Sequence, residues 1–214
     1  MNKITTFFKK TFTTKNWIKF YFSFVWLAIV IFAIDIATKW IIKNALVYEG
    51  STIVLIPNFL NITLVFNNGA SFGMGSSGDV GWKILWLIIS IVMSAIIIIY
   101  YVKKYKTLRT WVRVALMLMA AGAIGNLIDR AFYWTNLVGF SGVIDWISFS
   151  FFPPVFNIAD SSLVIGVIIL LIILIVDSIK EMKEKDKRGE YDLKPVDYEK
   201  KMKEENEKNS SEGK

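Results

Sequence analysis

Residues 156–176 read "FNIADSSLVIGVIILLIILIV". Beyond Ser162 every position is apolar or glycine. A run of this kind crosses a bilayer, for which about 20 consecutive apolar residues suffice. Yet Asn157 and Asp160 open it, and a carboxylate is among the most costly groups to place near hydrocarbon. The apolar run decides the fold class, and the two polar residues pose the question of function.

Working outward, three more segments have the same character, at about residues 20–40, 84–102 and 112–128. The 214-residue chain is 54% hydrophobic, with a mean hydropathy of +0.47, more apolar than a soluble domain of this size. The expected fold is an all-α membrane protein of four transmembrane helices. Residues 51–73, which include "IVLIPNFLNITLVFNNGASFG" (53–73), alternate in part and are rich in β-branched and aromatic side chains, ending in a glycine-containing turn. They predict short strands, hence a small β-cradle on the extracytoplasmic face.

Charge sets the orientation. Lys3, Lys9, Lys10, Lys15 and Lys19 precede the first span, and Lys103, Lys104, Lys106, Arg109 and Arg113 lie between spans two and three. Lys180, Lys183 and Lys185 follow the fourth. The other two links are poor in cations. By the positive-inside rule both termini are cytoplasmic. Residues 1–19 form a basic cytoplasmic extension, 20–176 the membrane domain and 177–214 a charged, solvated cytoplasmic tail. The second outer loop, 130–156, carries Trp134, Trp146, Phe149, Phe151 and Phe152, which suit an interface, and Pro153–Pro154 keeps the fourth helix from starting earlier. The net charge of +7 belongs to topology and anionic headgroups rather than to nucleic acid.

Cysteine and histidine are absent. Disulfides, Cys nucleophiles, Ser–His enzymes and zinc sites built on Cys or His are therefore excluded. Chemistry must come from elsewhere, and residues 1–176 contain six acids: Asp35, Glu49, Asp79, Asp129, Asp145 and Asp160. Glu49 and Asp79 lie in polar loop sequence and read as solvated. Asp35 shares a helix face with Lys39 and can pair with it. Asp129 follows Asn126 by three residues, and Arg130 comes next; it is either a catalytic acid or a structural partner for a basic group. Asp160 follows Asn157 at the same spacing, in a first helical turn where the dipole favours negative charge and Asn157 can cap. Alone it would read as a helix-stabilising acid. Asp145 sits in apolar "GVIDWISF" with no local basic partner, which is costly unless something uses it. The topology brings these acids to one membrane face. Two carboxylates held together share a proton and titrate as a pair. One can then activate water while the other polarises a carbonyl, the chemistry of aspartyl proteases, which needs no metal or cofactor.

Five blocks, "DIATKW" (35–40), "NNGASFG" (67–73), "GNLIDR" (125–130), "VIDW" (143–146) and "FNIADSS" (156–162), resemble those of the lipoprotein signal peptidases, or signal peptidase II, in family order. The resemblance implies a bacterial inner-membrane aspartyl endopeptidase. Such an enzyme cleaves prolipoproteins on the amino side of a diacylglyceryl-modified Cys. It implies a catalytic pair of Asp145 and Asp160, with Asp129–Asp160 as the second choice. Asn67, Gly69, Asn126, Asp129, Arg130 and Asn157 map to the supporting shell, and Asp35 and Lys39 to the block near the outer end of span one. Trp146 stands where the family usually has Phe, and the stretch from Arg130 to Ile144 is longer than the family pattern. The expected partners are lipid-modified prolipoproteins and membrane lipids, the expected state a monomer, and the expected cofactors none. An ion or proton transporter using the membrane carboxylates is the alternative; it predicts acids spread through the membrane depth. A scaffold protein is a further one, against which the five blocks argue.

Overall fold

The computed structural model describes residues 21–46, 48–69, 80–132 and 142–187. The expected basic extension 1–19, the tail beyond 187, the last part of the "NNGASFG" block (70–73) and Trp134 lie outside the described residues.

Helix α1 (Trp26–Ala45) is preceded by one π-helical turn, Tyr21–Val25. The chain kinks there, with Phe24 at φ 73°, a left-handed backbone unusual for a bulky side chain. Tyr101 secures the kink: its hydroxyl donates to the Ser23 carbonyl and lies 2.8 Å from Ser23 Oγ. Helices α2 (Val80–Lys104), α3 (Thr110–Phe132) and α4 (Ile158–Lys187) complete the set. Each of the four is long and apolar enough to cross a membrane. Helix α2 turns Ile84, Leu85, Ile88, Val92, Ile96 and Ile99 outward. Exposed apolar surface on this scale marks a lipid-facing wall. This is a multi-pass membrane protein.

Helix α3 is the central element. It buries Ala120, Ala121, Gly122, Ala123 and Gly125, small residues that let neighbouring helices approach closely. The approach is tightest at Gly125. A Cβ there would stand 2.6 Å from Asp35 Oδ2 on α1 and 3.0 Å from Ala159 Cβ on α4. One apolar cluster, with Ile97, Tyr101, Leu116, Met117 and Ala120, joins α2 to α3.

Four strands form one antiparallel sheet in the order β1 (Thr52–Ile56), β2 (Leu60–Asn67), β3 (Val143–Phe149), β4 (Phe152–Phe156). The first two are the strands expected from the alternating loop. The second pair was read from sequence only as an aromatic loop. Its "FPPVF" segment lies on an edge of the sheet, the place where proline's missing N–H does least harm. Ile42 and Leu46 at the end of α1 pack with Leu64 of β2 and Ile144 of β3. That cluster fastens the sheet to the bundle, at the end opposite the Tyr101–Ser23 kink.

The described residues fall into two compact units that divide at Leu170/Leu171 within α4. From Leu171 the helix exposes Leu171, Ile172, Leu174, Ile175 and Val176. Charged turns follow, with a Glu181–Lys185 ion pair at 2.9 Å.

Candidate active site

Helix α4 begins with a reciprocal cap. Asn157 is the last residue before it, and the Asp160 backbone N–H donates to Asn157 Oδ1 at 2.8 Å. The Asn157 N–H donates back to Asp160 Oδ2 at 3.2 Å. The capping geometry holds Asp160 in the first turn and satisfies two otherwise free N–H groups. It also fixes which way the Asn157 amide points. With Oδ1 committed to the helix, Nδ2 faces Asp145 Oδ1 at 2.6 Å, and also Asn126 Oδ1 at 3.1 Å and the Ile144 carbonyl at 3.3 Å.

Asp145 comes from β3, where it pairs across the ladder with Val65. Asn67 lies two residues further along the same face of β2, the diagonal neighbour within side-chain reach. Its Nδ2 donates to Asp145 Oδ2 at 3.0 Å, while its Oδ1 accepts the Gly69 N–H at 2.9 Å. Asn126 of α3 donates to Asp160 Oδ1 at 2.7 Å. Each carboxylate thus receives one amide N–H on each oxygen, and Asn157 touches both.

Behind the pair lies a buried ionic cluster. Lys39 Nζ lies 2.7 Å from Asp35 Oδ2, 2.8 Å from Asp129 Oδ2 and 3.3 Å from Asn126 Oδ1. Asp35 Oδ1 accepts the Ala159 N–H at 2.9 Å, in the first turn of α4, and Asp129 Oδ2 accepts the Ile144 N–H at 3.4 Å. Both acids therefore stitch α1 and α3 to the elements that carry Asp160 and Asp145. The basic group beside Asp129 is Lys39, from another helix, which sequence neighbours did not suggest. Arg130 donates to Ser90 Oγ of α2 at 3.0 Å and to the Gly69 carbonyl at 3.5 Å.

The two carboxylates line a cavity of about 370 Å³ together with Asn67, Asn126 and Arg130. Apart from Ser161, the rest of its lining is apolar: Val143, Phe152, Pro154, Val155 and Phe156 of the sheet, Val164 and Ile165 of α4. A second cavity of about 230 Å³ shares Asn126, Arg130, Asp160 and Val164, and is lined by Trp86, Ser90, Met93, Gly122 and Leu163. Asp145 is 2% exposed. Burial first, and the nearby Asp160 carboxylate second, push its carboxyl up to about 7, against the pull of Asn67, Lys39 and Asn157. Near neutral pH a carboxyl raised this far is protonated in part. Among the described residues no three acidic side chains converge as a metal ion requires.

All ten residues singled out in the sequence gather at one end of the bundle. Asp145, Asp160, Asn67, Asn126 and Arg130 line the cavity, Asn157 is buried between the two carboxylates, Gly69 braces Asn67 and Arg130, and Asp35, Lys39 and Asp129 form the cluster behind. Ser90 carried no sequence signal. The apolar wall of β3 and β4 carried a weak one, in the β-branched and aromatic residues of "VIDWISF" and "FPPVF".

Fold and site together define a multi-pass membrane protein with a paired-carboxylate cavity at one end of its helical bundle. The sequence profile of signal peptidase (SPase) II matches residues 27–176. A lipoprotein signal peptidase of Staphylococcus epidermidis is 38% identical over 170 residues, covering 78% of this chain and 98% of that protein. One of Pseudomonas putida is 36% identical over 165 residues, covering 77% and 91%. A solved bacterial membrane enzyme superposes with a TM-score of 0.60 at 37% identity, covering 72% of this chain and 88% of the other. The chain belongs to the signal peptidase II family, and is a membrane protease.

Proposed function

We propose that this protein is an intramembrane aspartyl endopeptidase that removes signal peptides from prolipoproteins. It cuts on the amino side of a diacylglyceryl-modified Cys, with Asp145 and Asp160 as the catalytic pair. The observation that carries this reading is the Asp145–Asn157–Asp160 arrangement: two carboxylates braced by amide donors and facing one cavity, with Asp145 raised to about 7. Gathering of the acids at one end of the bundle favours hydrolysis over an ion relay, which needs groups spread through the membrane depth.

In the proposed reaction Asp160, whose ionised form the helix N-terminus favours, takes a proton from water as general base. The water oxygen attacks the scissile carbonyl carbon, and Asp145 gives its proton to the carbonyl oxygen. The tetrahedral diol collapses, the C–N bond breaks, and the proton on Asp160 passes to the leaving amine. Asp145 recovers its proton from the diol hydroxyl, and Asp160 is left ionised for the next turn. The apolar wall of the larger cavity suits the acyl chains of the modified Cys. The smaller cavity, between α2, α3 and α4, leads from Asp160 into the apolar part of the bundle and suits the signal peptide.

The charge pattern supports both termini being cytoplasmic and the carboxylates lying near the extracytoplasmic face, and the bacterial relatives support a bacterial inner-membrane location. The enzyme acts as a monomer on substrates reached through the bilayer. Asp129, held by Lys39 and the Ile144 N–H, has a supporting role. The test is incubation of the purified protein with a diacylglyceryl-modified precursor and its unlipidated form. Cleavage of the lipidated precursor alone is expected; equal cleavage of both would remove the lipid-dependent reading.

A further inference from the structure

An asparagine amide can be turned by 180°, exchanging its oxygen for its NH2 group. Beside a carboxylate the two orientations are opposite in effect, since NH2 donates to the charge and oxygen opposes it. Three asparagines face the carboxylate pair, so the site works only if all three are turned the same way. Two are oriented by backbone. Asn157 Oδ1 is taken by the helix-capping N–H of Asp160, and Asn67 Oδ1 by the N–H of Gly69. Asn126 has no such lock. It lies inside α3, where backbone N–H groups are committed to the helix. Its Oδ1 has two side-chain partners: Asn157 Nδ2, which has a nearer acceptor in Asp145, and Lys39 Nζ at 3.3 Å.

We propose that Lys39 is a positioning residue for the reaction: its ammonium group, through Asn126 Oδ1, turns the Asn126 amide so that Nδ2 is presented to Asp160. The proposal rests on the peptidase reading above. Lys39 is 1% exposed, and its three N–H donors meet three acceptors, on Asp35, Asp129 and Asn126. An ion pair that merely anchored α1 would be complete with Asp35. The third hydrogen goes to the one site amide that no backbone group orients.

Removing Lys39 alone would strand two buried acids, which is strongly destabilising. The comparison is therefore made in an Asp35→Asn background, which leaves Lys39 its ion pair with Asp129 and, when Lys39 is replaced, strands one acid that can neutralise by taking up a proton, with Lys39→Met, Asn126→Ala, and both together. The readout is kcat and KM for the lipidated precursor. Lys39→Met is expected to lower kcat on the order of 10²-fold with little change in KM, the scale of a misplaced catalytic group. With Asn126→Ala already present, the same change is expected to lower kcat by less than about 3-fold, because no amide remains to be oriented; such non-additivity is what a shared pathway produces. Equal kcat losses with and without Asn126 would overturn the proposal and leave Lys39 as a structural ion. If the Met variant does not fold, Lys39→Gln replaces it. Its amide stops short of Asn126 but keeps a polar partner for positions 35 and 129, and the same two outcomes decide. If the unsubstituted protein itself cleaves no precursor, it is the peptidase reading that fails.

Discussion

Asn157 performs two tasks that can be separated by substitution. Its Oδ1 caps α4 through the Asp160 N–H, and its Nδ2 donates to Asp145. Serine keeps an oxygen for the cap and has no NH2 for Asp145; alanine keeps neither. The cap contributes about 1 kcal/mol, and serine is nearly as good a cap as asparagine. The bond to Asp145 is charge-assisted, worth about 1.5–3 kcal/mol to the ionised form. Asn157→Ser should therefore cost under about 1 kcal/mol through the cap, and Asn157→Ala about 1 kcal/mol more than Ser, seen in thermal unfolding in detergent. Both should lower kcat on the order of 10²-fold, since the carboxylate loses its positioning partner. The pH profile gives a sharper sign. The Asn157 bond favours the ionised form of Asp145, so its loss moves Asp145 further above about 7. If Asp145 is the acid, activity is lost at high pH as it deprotonates, and that alkaline limb shifts upward. About one to two pH units are expected, because one unit corresponds to about 1.4 kcal/mol. A limb that shifts downward, or a serine variant with full kcat, would refute the reasoning.

Asp145→Asn and Asp160→Asn should each abolish cleavage with helical content unchanged by circular dichroism, whereas Asp129→Asn should reduce it less; complete loss in a folded Asp129 variant would favour the Asp129–Asp160 pair. Gly142→Ala should disturb Asn67, because a Cβ there would stand 2.7 Å from the Asn67 carbonyl carbon and oxygen. The expected cost is about 1–3 kcal/mol of stability, with a fall in cleavage rate that precursor assays would detect. Tyr101→Phe removes the hydroxyl that secures the Ser23 kink at the far end of the bundle. It should lower stability by about 1–3 kcal/mol and leave cleavage intact. Finally, Asp145 binds its proton more tightly in the folded chain, at about 7, than an ordinary aspartate does in the unfolded chain, at 3.8. Between those values the folded chain holds more protons, so this group's contribution to stability falls as pH rises from about 4 to about 7. Asp145→Asn should remove that part of the slope in melting temperature against pH.

The membrane class was legible because length and apolarity alone specify a spanning helix, and four such runs left little else to form. The hairpin of β1 and β2 was legible because its alternation is local. The partner strands were not. "VIDWISF" and "FPPVF" contain neither a clear alternation nor a hairpin dipeptide, and they become strands by pairing with β2 and with each other. Asp35 and Lys39 were legible as a pair because four residues is one helical turn. That Asp129 would join them was not, since 90 residues separate it from Lys39 and the junction depends on how closely α1 and α3 approach.

What the sequence determined by itself was therefore the set of available chemistries. An absence of Cys and His excludes most catalytic constellations, and a few acids at the ends of apolar runs leave carboxylate chemistry as the candidate. What only the tertiary structure decided was how those acids divide between two tasks. Asp145 and Asp160 face a cavity and amide donors, while Asp35 and Asp129 face Lys39. All four are aspartates beside apolar sequence. Their difference lies in which neighbour arrives from another helix or strand, and the glycine at position 125 sets how near α1 and α4 can come.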